Sequence, residues 1–519
     1  MKLKTIAEAV AFAVAPKTTM RAKAALTILN SGYSRHGAST QKNSLRGWVT
    51  TTGDPDDDIT DNLHKLRERS RDAYMGGGLS AGAIKTVRTN VVGAGLRLNP
   101  TPDGNFLKLT PDEVKDWKAK TLREFKLWSD KTDCDAARRL TFGQLQSLAL
   151  VSSLMNGDCF ALLPIKQRVG QPYDLRIQLI EADRVVDPAN KGNKDIRGGI
   201  ELDDQGESVA CYIAKKHPGS SSYYANIETQ RIEFFGKETG RPNVLQIAHD
   251  WERIGQRRAV PFLTPILEPL KQLTRYQDAE LMASVVSSMF TVFVKSNTPE
   301  SPLGDQFSLG DQVAAGDNYA YEMGNGSIVS IGDGEDITTA NPARTNSSFD
   351  GFCTAVIRQI GASLEIPYEV LIKHFTSSYS ASRGALLEAW KMFKMRRIWL
   401  VQTFCQPIYE EWLSEAVAKG RISAPGFFND PAVRAAWCGA EWFGPTQGHL
   451  NPLQEANAAK VRIETGISNR ESESAEMSGR DWNEIEAQSA REVNQMKLDG
   501  TLKNVADYQQ DTTGVSSNG

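Results

Sequence analysis

Few residue patterns in this chain could do chemistry, and their surroundings argue against most of them. Gly78-Leu79-Ser80-Ala81-Gly82 has the GxSxG form that exposes a nucleophilic serine. That role needs a buried strand just before the serine. Here Arg67–Met75 is charged and helix-forming, so the glycines read as a turn between two helices. Asp183 and Asp187 near Arg184 could form a carboxylate pair, but Asp187-Pro188-Ala189-Asn190 is a turn sequence following a strand. Gly93-Ala94-Gly95 is too short for a dinucleotide fingerprint. The six histidines (His36, His64, His217, His249, His374, His449) form neither HExxH nor zinc spacing, and GxxxxGK[ST] does not occur. The acidic turn Asp54–Asp58 lacks the downstream glutamate of a calcium loop. The expectation is a non-enzymatic chain with no metal and no cofactor. The basic cluster Lys391, Lys394, Arg396 and Arg397 keeps two readings open: a solvated or salt-bridging face between subunits, or contact with DNA phosphates.

With 519 residues, 40% hydrophobic and 24% charged, the chain can bury a sizeable core, and wholesale disorder is excluded. A net charge of -3 excludes an overall basic field for phosphate binding. The six cysteines stand singly, several inside apolar runs, and predict buried reduced thiols as in a cytosolic protein. The longest apolar run, Val285–Val294, is about half the ~20 residues that span a bilayer, so no membrane is expected. Lys2 and Lys4 before Ile6–Ala15 resemble a secretory leader, but Glu8 interrupts the apolar stretch and a short helix fits equally.

Along the chain, residues 1–50 hold eight Lys/Arg against Glu8 and read as a mobile basic arm. Charges alternate along a helix over Leu63–Tyr74. Thr110-Pro111-Asp112-Glu113 starts a helix with Val114, Trp117, Thr121, Phe125 and Trp128 on one stripe. Thr141–Gln144 opens another, which ends at Asn156-Gly157. Short strand-like runs follow at Phe160–Leu163, Arg176–Ile180, Val209–Ala214, Ile232–Phe235 and Val244–Ile247. A long helix is predicted over Thr264–Val294, with a polar ridge of Glu268, Lys271, Arg275 and Asp278. Residues 295–347 hold eight acids against two bases, with a hairpin expected at Gly324-Asn325-Gly326. A second helix is predicted over Ser348–Glu365, ended by Ile366-Pro367. A third begins near Arg383, with Leu387, Trp390, Lys394, Ile398, Val401 and Cys405 on one side and a kink at Pro407. Residues 450–519, with twelve acids and seven bases, read as acidic-faced helices and a disordered tail. The fold class is α+β, mostly helical.

Several phrases, in this order, resemble the lambda-type portal proteins of tailed bacteriophages. They are Arg67–Tyr74, Gly82-Ala83-Ile84 through Asn90–Leu96, Met155–Asp158, Ile180–Val185, His249–Pro261, Leu364–Glu369 and Tyr379–Glu388. The likeness covers about residues 60 to 490. It implies a homo-oligomeric ring, usually of twelve subunits, at one capsid vertex of the virion, assembled in the host cytoplasm. Through it double-stranded DNA passes without sequence specificity during packaging and ejection. The implied partners are the terminase, the major capsid protein and head–tail adaptor proteins.

The implied architecture is a wing, a two-helix stem, a small β-containing clip and a helical crown. Carried over, residues 1–59 are the arm, 60–263 the wing, 264–294 the first stem helix, 295–347 the clip and 348–365 the second stem helix. Residues 366–382 are the tunnel loop, 383–449 the long kinked helix with the wing's return, and 450–519 the crown and tail. Lys373, His374, Thr376, Ser377, Ser378, Tyr379 and Ser380 would face the DNA. Such a wall must avoid holding phosphate tightly, and residues 366–383 suit that, with Glu369 set against Lys373 and Arg383. The competing readings are another capsid-assembly or head–tail adaptor protein, and a serine hydrolase built on Ser80.

Overall fold

Beyond scattered positions before residue 50, the computed structural model describes residues 50–192, 194–220, 228–288, 291–296, 335–340, 348–375, 378–447, 452–478 and 482–499. The chain divides into two units, Met1–Asp58 and Ile59–Gly519. Most of the expected basic arm lies outside the described residues. The first unit closes on a one-turn helix, Pro55–Asp58, where the Asp54 carboxylate accepts the Asp57 amide at 2.7 Å.

The second unit opens with α1 (Leu63–Gly76) and α2 (Gly78–Val91), broken at Gly77, and then strand β1 (Arg97–Pro100). Helix α3 (Pro111–Ser129) begins with both halves of the Thr110–Glu113 capping box and buries Trp117, Thr121, Phe125 and Trp128. Helix α4 (Phe142–Asn156) begins where Gln144 Oε1 accepts the Thr141 amide at 2.9 Å. It ends at Gly157, whose φ of 92° favours glycine, and any Cβ there would collide with the Ala259 carbonyl.

Seven strands follow: β2 (Asp158–Leu162), β3 (Gln178–Glu181), β4 (Asp195–Arg197), β5 (Ile200–Leu202), β6 (Ser208–Ala214), β7 (Thr229–Glu233) and β8 (Val244–Ala248). They form antiparallel sheets ordered β3-β2-β8 and β4-β5-β6-β7. Phe160, Ile180, Val185, Ile200, Cys211, Ile213, Phe234 and Val244 make one apolar cluster spanning the two sheets. The chain then runs through α5 (Leu267–Ser288), β9 (Thr291–Ser296), β10 (Glu335–Ala340), α6 (Phe349–Ser363), α7 (Tyr368–Ile372) and α8 (Tyr379–Leu400). A π-helical turn, Val401–Cys405, leads into α9 (Gln406–Ala418). Helix α10 (Pro431–Trp437), strand β11 (Ala440–Phe443), α11 (Pro452–Glu464), α12 (Arg470–Ser478) and α13 (Trp482–Leu498) complete it. Helices and antiparallel sheets are thus segregated along the chain, an α+β fold.

The main core joins distant parts of the sequence. The Phe125 ring of α3 meets Trp412 of α9 at 4.9 Å and Phe142 of α4 at 5.8 Å, both edge-on, and Trp117 meets Trp437 at 5.0 Å. Such aromatic pairs add about 0.5–1.5 kcal/mol each beyond their burial. Strand β11 pairs antiparallel with β1, Arg97 opposite Phe443. All six cysteines are buried and unbridged. Burial pushes each thiol's pKa up, to about 12 for Cys134, Cys211 and Cys438.

A buried charge cluster fixes the sheets to the helices. Asp158, the first residue of β2, is 0% exposed and Arg258 is 1% exposed. Arg258 grips both Asp158 oxygens, at 2.6 and 2.8 Å, and donates to the carbonyls of Ala182, Val185 and Gly198. Arg67 of α1 donates to Asp158 at 3.1 Å and to the Asn156 carbonyl at 2.8 Å. Arg71 pairs with Asp183 and, at 3.3 Å, with Glu181. Burial alone would raise the Asp158 pKa, but Arg258 and then Arg67 outweigh it and hold the carboxylate below its usual range. Burial, and then Arg258, lower the Arg67 guanidinium to about 10.

Several expected bounds differ. The helix predicted to reach Val294 stops at Ser288, and Thr291-Val292-Phe293-Val294 is strand, as β-branched and aromatic residues prefer. The second helix ends at Ser363, two residues early. The third begins at Tyr379 rather than Arg383, because Ser378 Oγ accepts the Ala381 amide and caps it. Residues 366–382 therefore hold α7 and the first turn of α8, not only loop. The side of that helix grouped by sequence is mixed: Leu387 and Ile398 are 44% and 48% exposed and Lys394 is exposed, Trp390 and Val401 are half-buried, and Cys405 is buried. Ala389, Met392, Phe393, Arg396 and Leu400 are buried. The helix continues through Pro407, directly after a π turn closed by the Gln406 amide on the Val401 carbonyl. The hairpin at Gly324–Gly326 and the final tail lie outside the described residues.

Replacing Asp158 by Asn should lower stability by about 3–5 kcal/mol, since it leaves buried Arg258 without its counter-charge and Arg67 with only Asp183, at 3.6 Å. Urea unfolding reads this, and a loss below ~1 kcal/mol would remove the cluster from its anchoring role. Because the Asp158 pKa is depressed, its contribution is complete above the unfolded value of about 3.9 and is lost as pH falls through the folded value. Gly157→Ala should cost more than Gly206→Ala, whose φ is 85° with open space around it, roughly 1–3 kcal/mol for the shared strain plus the clash. Equal melting points for the two variants would show that the Ala259 carbonyl yields.

Candidate functional site

The candidate site is built on two helices of one excursion from the body. Leu270 and Leu273 of α5 and Cys353 and Ile360 of α6 are buried in the main core. Further along, the Tyr276 ring stacks on Phe349 at 5.6 Å and meets Phe352 edge-on at 4.8 Å. The ridge of Glu268, Lys271, Arg275 and Asp278 on α5 is exposed, as the helical spacing predicts. Two paired strands lie between these helices in the chain, β9 after α5 and β10 before α6, with Thr291 opposite Ala340; residues 341–347 between β10 and α6 lie outside the described residues. Residues 297–334 between the strands lie outside the described residues.

The segment after α6 is positioned by a tight reversal. The Ile366 amide returns to the Gly361 carbonyl at 2.9 Å while Glu365 adopts φ 56°. A Cβ on Gly361 would lie 2.6 Å from the Ile366 carbonyl oxygen, so the close approach requires glycine. Leu364, Ile366, Val370 and Leu371 are buried and pin the segment to the core. Pro367 starts α7, its carbonyl taking the Val370 and Leu371 amides. The helix ends on Lys373 at φ 56°, with the His374 amide on the Glu369 carbonyl at 3.1 Å.

Of the residues singled out by sequence, Lys373 and His374 are exposed and adjacent on this turn, and Ser378 and Ser380 are exposed at the start of α8. Thr376 and Ser377 lie outside the described residues, as does the side chain of Tyr379, although its backbone is helical. The exposed part is a short bridge between a buried anchor and a capped helix. Its described chemistry is one cation, one imidazole, the exposed Phe375 ring and small hydroxyls, whose polar groups can meet phosphate weakly and without base readout.

The other candidates resolve differently. Ser80 lies in the first turn of α2, after a helix rather than a strand, and its buried hydroxyl donates to the Ala73 carbonyl at 2.5 Å. Asp183 is paired with Arg71, while Asp187 accepts the Gly199 amide at 2.7 Å. Gly93 and Gly95 both have positive φ, and Gly95 packs so closely that a Cβ would lie 2.9 Å from the Gly143 Cα. The basic cluster on α8 splits. Lys391 is exposed beside Glu388 and Lys394 is exposed. Arg396 is buried on Asp250 at 3.1 and 3.2 Å, over the Phe262 ring. Arg397 donates to the carbonyls of Asn90 and Val91 at the end of α2 and to that of Pro445, and burial lowers it to about 10. Those two arginines hold the fold together and are not free to meet phosphate. His249 is buried against Trp399. Burial, and then Arg396, push it down to about 3, so it stays neutral. Among the described residues no His, Cys, Asp and Glu group could hold a metal, and no helix is long and apolar enough to cross a membrane.

Sequence reasoning missed the Arg67–Asp158–Arg258 cluster. The signal was there in another form: four of the phrases that carry the family resemblance, Arg67–Tyr74, Met155–Asp158, Ile180–Val185 and His249–Pro261, converge on it.

Comparison with known proteins finds the same kinship. "Portal protein B" of Escherichia phage lambda is 23% identical over 493 residues, covering 91% of both chains. "Portal protein" of Escherichia phage N15 is 23% identical over 483 residues, covering 88% of this chain and 89% of that one. A chain of the solved neck of a native gene transfer agent particle, computed with C12 symmetry, aligns at a TM-score of 0.40 and 10% identity, over 80% of this chain and 92% of that one. The sequence pattern of the family described as "Phage portal protein, lambda family" matches residues 41–397, more than half of the sequence, and the chain belongs to that family.

Proposed function

We propose that this chain is one subunit of a twelve-membered portal ring at a single vertex of a phage head. Double-stranded DNA passes through the ring during packaging and ejection, and the ring joins head to tail. Family membership across residues 41–397 is the observation that carries this reading. In it, residues 60–263 and 383–449 form the wing, α5 and α6 the stem, residues 295–347 the clip, and residues from 450 the crown. Residues 366–382, which run from α7 into the first turn of α8, face the DNA, with Lys373, His374, Thr376, Ser377, Ser378, Tyr379 and Ser380 as its wall. The partners are the terminase, the major capsid protein and head–tail adaptor proteins, met in the host cytoplasm during assembly. The role is structural, with no reaction and no cofactor.

The physical logic is low friction. Each phosphate neutralised with release of counterions adds affinity, so a wall that binds many phosphates would arrest the polymer. One lysine per subunit, beside hydroxyls and an acid-rich insert, keeps that attraction shallow. A ring closes through a head-to-tail interface that uses two different faces of each subunit, and the exposed polar ridge of α5 suits one of them.

Two outcomes are expected. Native mass spectrometry of the purified chain under assembly conditions should give twelve times the subunit mass, and particle images should show a central hole; a lasting monomer or dimer would sink the ring. Lys373→Glu should leave the ring intact and cut the fraction of rings threaded by linear duplex at low salt severalfold. If threading is unchanged, Lys373 does not line the channel.

A further inference from the structure

Between α3 and the last helix, α13, lies an open groove of about 1240 Å³. It is larger than the ~300–1,000 Å³ of sites for small molecules. Among the described residues its charged lining is Lys115, Lys118, Arg123 and Lys126 from α3 and Arg491 and Glu492 from α13, with Lys118 also reached by Glu471. Val114 and Leu122 of α3 and Ile485 of α13, all half-buried, give it an apolar floor.

Helix α13 is fastened at its start. Arg470 of α12 lies over the Trp482 ring at 5.5 Å, and Arg462 of α11 holds Glu473 of α12 through two bonds of 2.7 and 2.6 Å. The trio touches α3 through Glu471, which is 3.4 Å from the Lys118 ammonium. Downstream, Trp482, Ile485, Ser489, Val493 and Met496 recur at three- and four-residue spacing, yet Val493 and Met496 remain exposed. The two helices therefore bound a cleft with cationic edges and an apolar base.

We propose that this groove docks an acidic amphipathic helix from a partner protein, a reading independent of the ring. An apolar strip on such a helix would cover Val114, Leu122 and Ile485, and its flanking carboxylates would meet Lys115, Arg123 and Arg491. Duplex DNA would engage the cations and leave the apolar base unused, because its phosphates offer nothing to bury there.

The test uses the full chain and a fluorescent synthetic peptide, with leucines at helical spacing and glutamates elsewhere, followed by anisotropy. The peptide should bind in a salt-sensitive way, and neither its scrambled form nor its lysine counterpart should do so. The double variant Lys115→Glu/Arg123→Glu, at two exposed positions, should weaken binding about tenfold or more. Lys120→Glu, exposed on α3 outside the groove, should leave it unchanged, and Ile485→Ser should weaken it while preserving the salt dependence. No binding, or equal binding of the scrambled peptide, overturns the proposal. Displacement by duplex DNA at matching concentration would overturn it in favour of phosphate. Tighter binding of a peptide spanning residues 470–498 would overturn it in favour of a second copy of this chain.

Discussion

The structure depends on a carboxylate kept ionised where there is almost no water. Asp158 sits where α4 ends and β2 begins, and two arginines from distant segments converge on it. A buried ion is tolerated only when its hydrogen-bonding capacity is filled, and here the surplus capacity of Arg258 is spent on three backbone carbonyls. One side chain thereby sets the position of the 3-10 turn at Ala182–Arg184, the Gly198 turn and the approach to α5. The lack of a side chain at Gly157 is the other half of that joint, because it lets the chain carrying Ala259 pass against the end of α4.

The helices that bear the candidate DNA-facing segment inherit their placement from this joint. Helix α5 starts a few residues after Arg258, passes through the main core at Leu270 and Leu273, and meets α6 through Tyr276. The reversal at Gly361–Ile366 then turns the chain, and the buried pair Val370 and Leu371 leaves Lys373 and His374 exposed. Core packing fixes the chain before Lys373, and the Ser378 cap starts α8.

Much of this was legible in the sequence where local chemistry decides the outcome. The capping boxes at Thr110 and Thr141, the α3 stripe and the glycine stop at Gly157 all stand as their residues predict. Legibility failed where competition between distant elements decides. Helix α8 is apolar on two sides, and only packing selects the side of Met392 and Phe393, leaving Leu387 outward. Hydroxyl-rich residues before Arg383 looked like loop, yet Ser378 starts a helix. The hairpin β4–β5 went unread because its strands are three residues long, although Gly198-Gly199, both at positive φ, marked the turn. The ion cluster was not legible from local pattern, since nothing around Arg67 or Arg258 says that they share a partner; only the family phrases that converge on it carried a signal.

The six enclosed sulfhydryls have a practical side. Thiolate is the reactive form, and burial raises the pKa of all six thiols, Cys353 being the most exposed at 7%. Alkylating dyes should therefore react with the folded chain far more slowly than with a free thiol. A single cysteine introduced at an exposed position such as Ser380 would be the fast-reacting handle for a spin label or fluorophore.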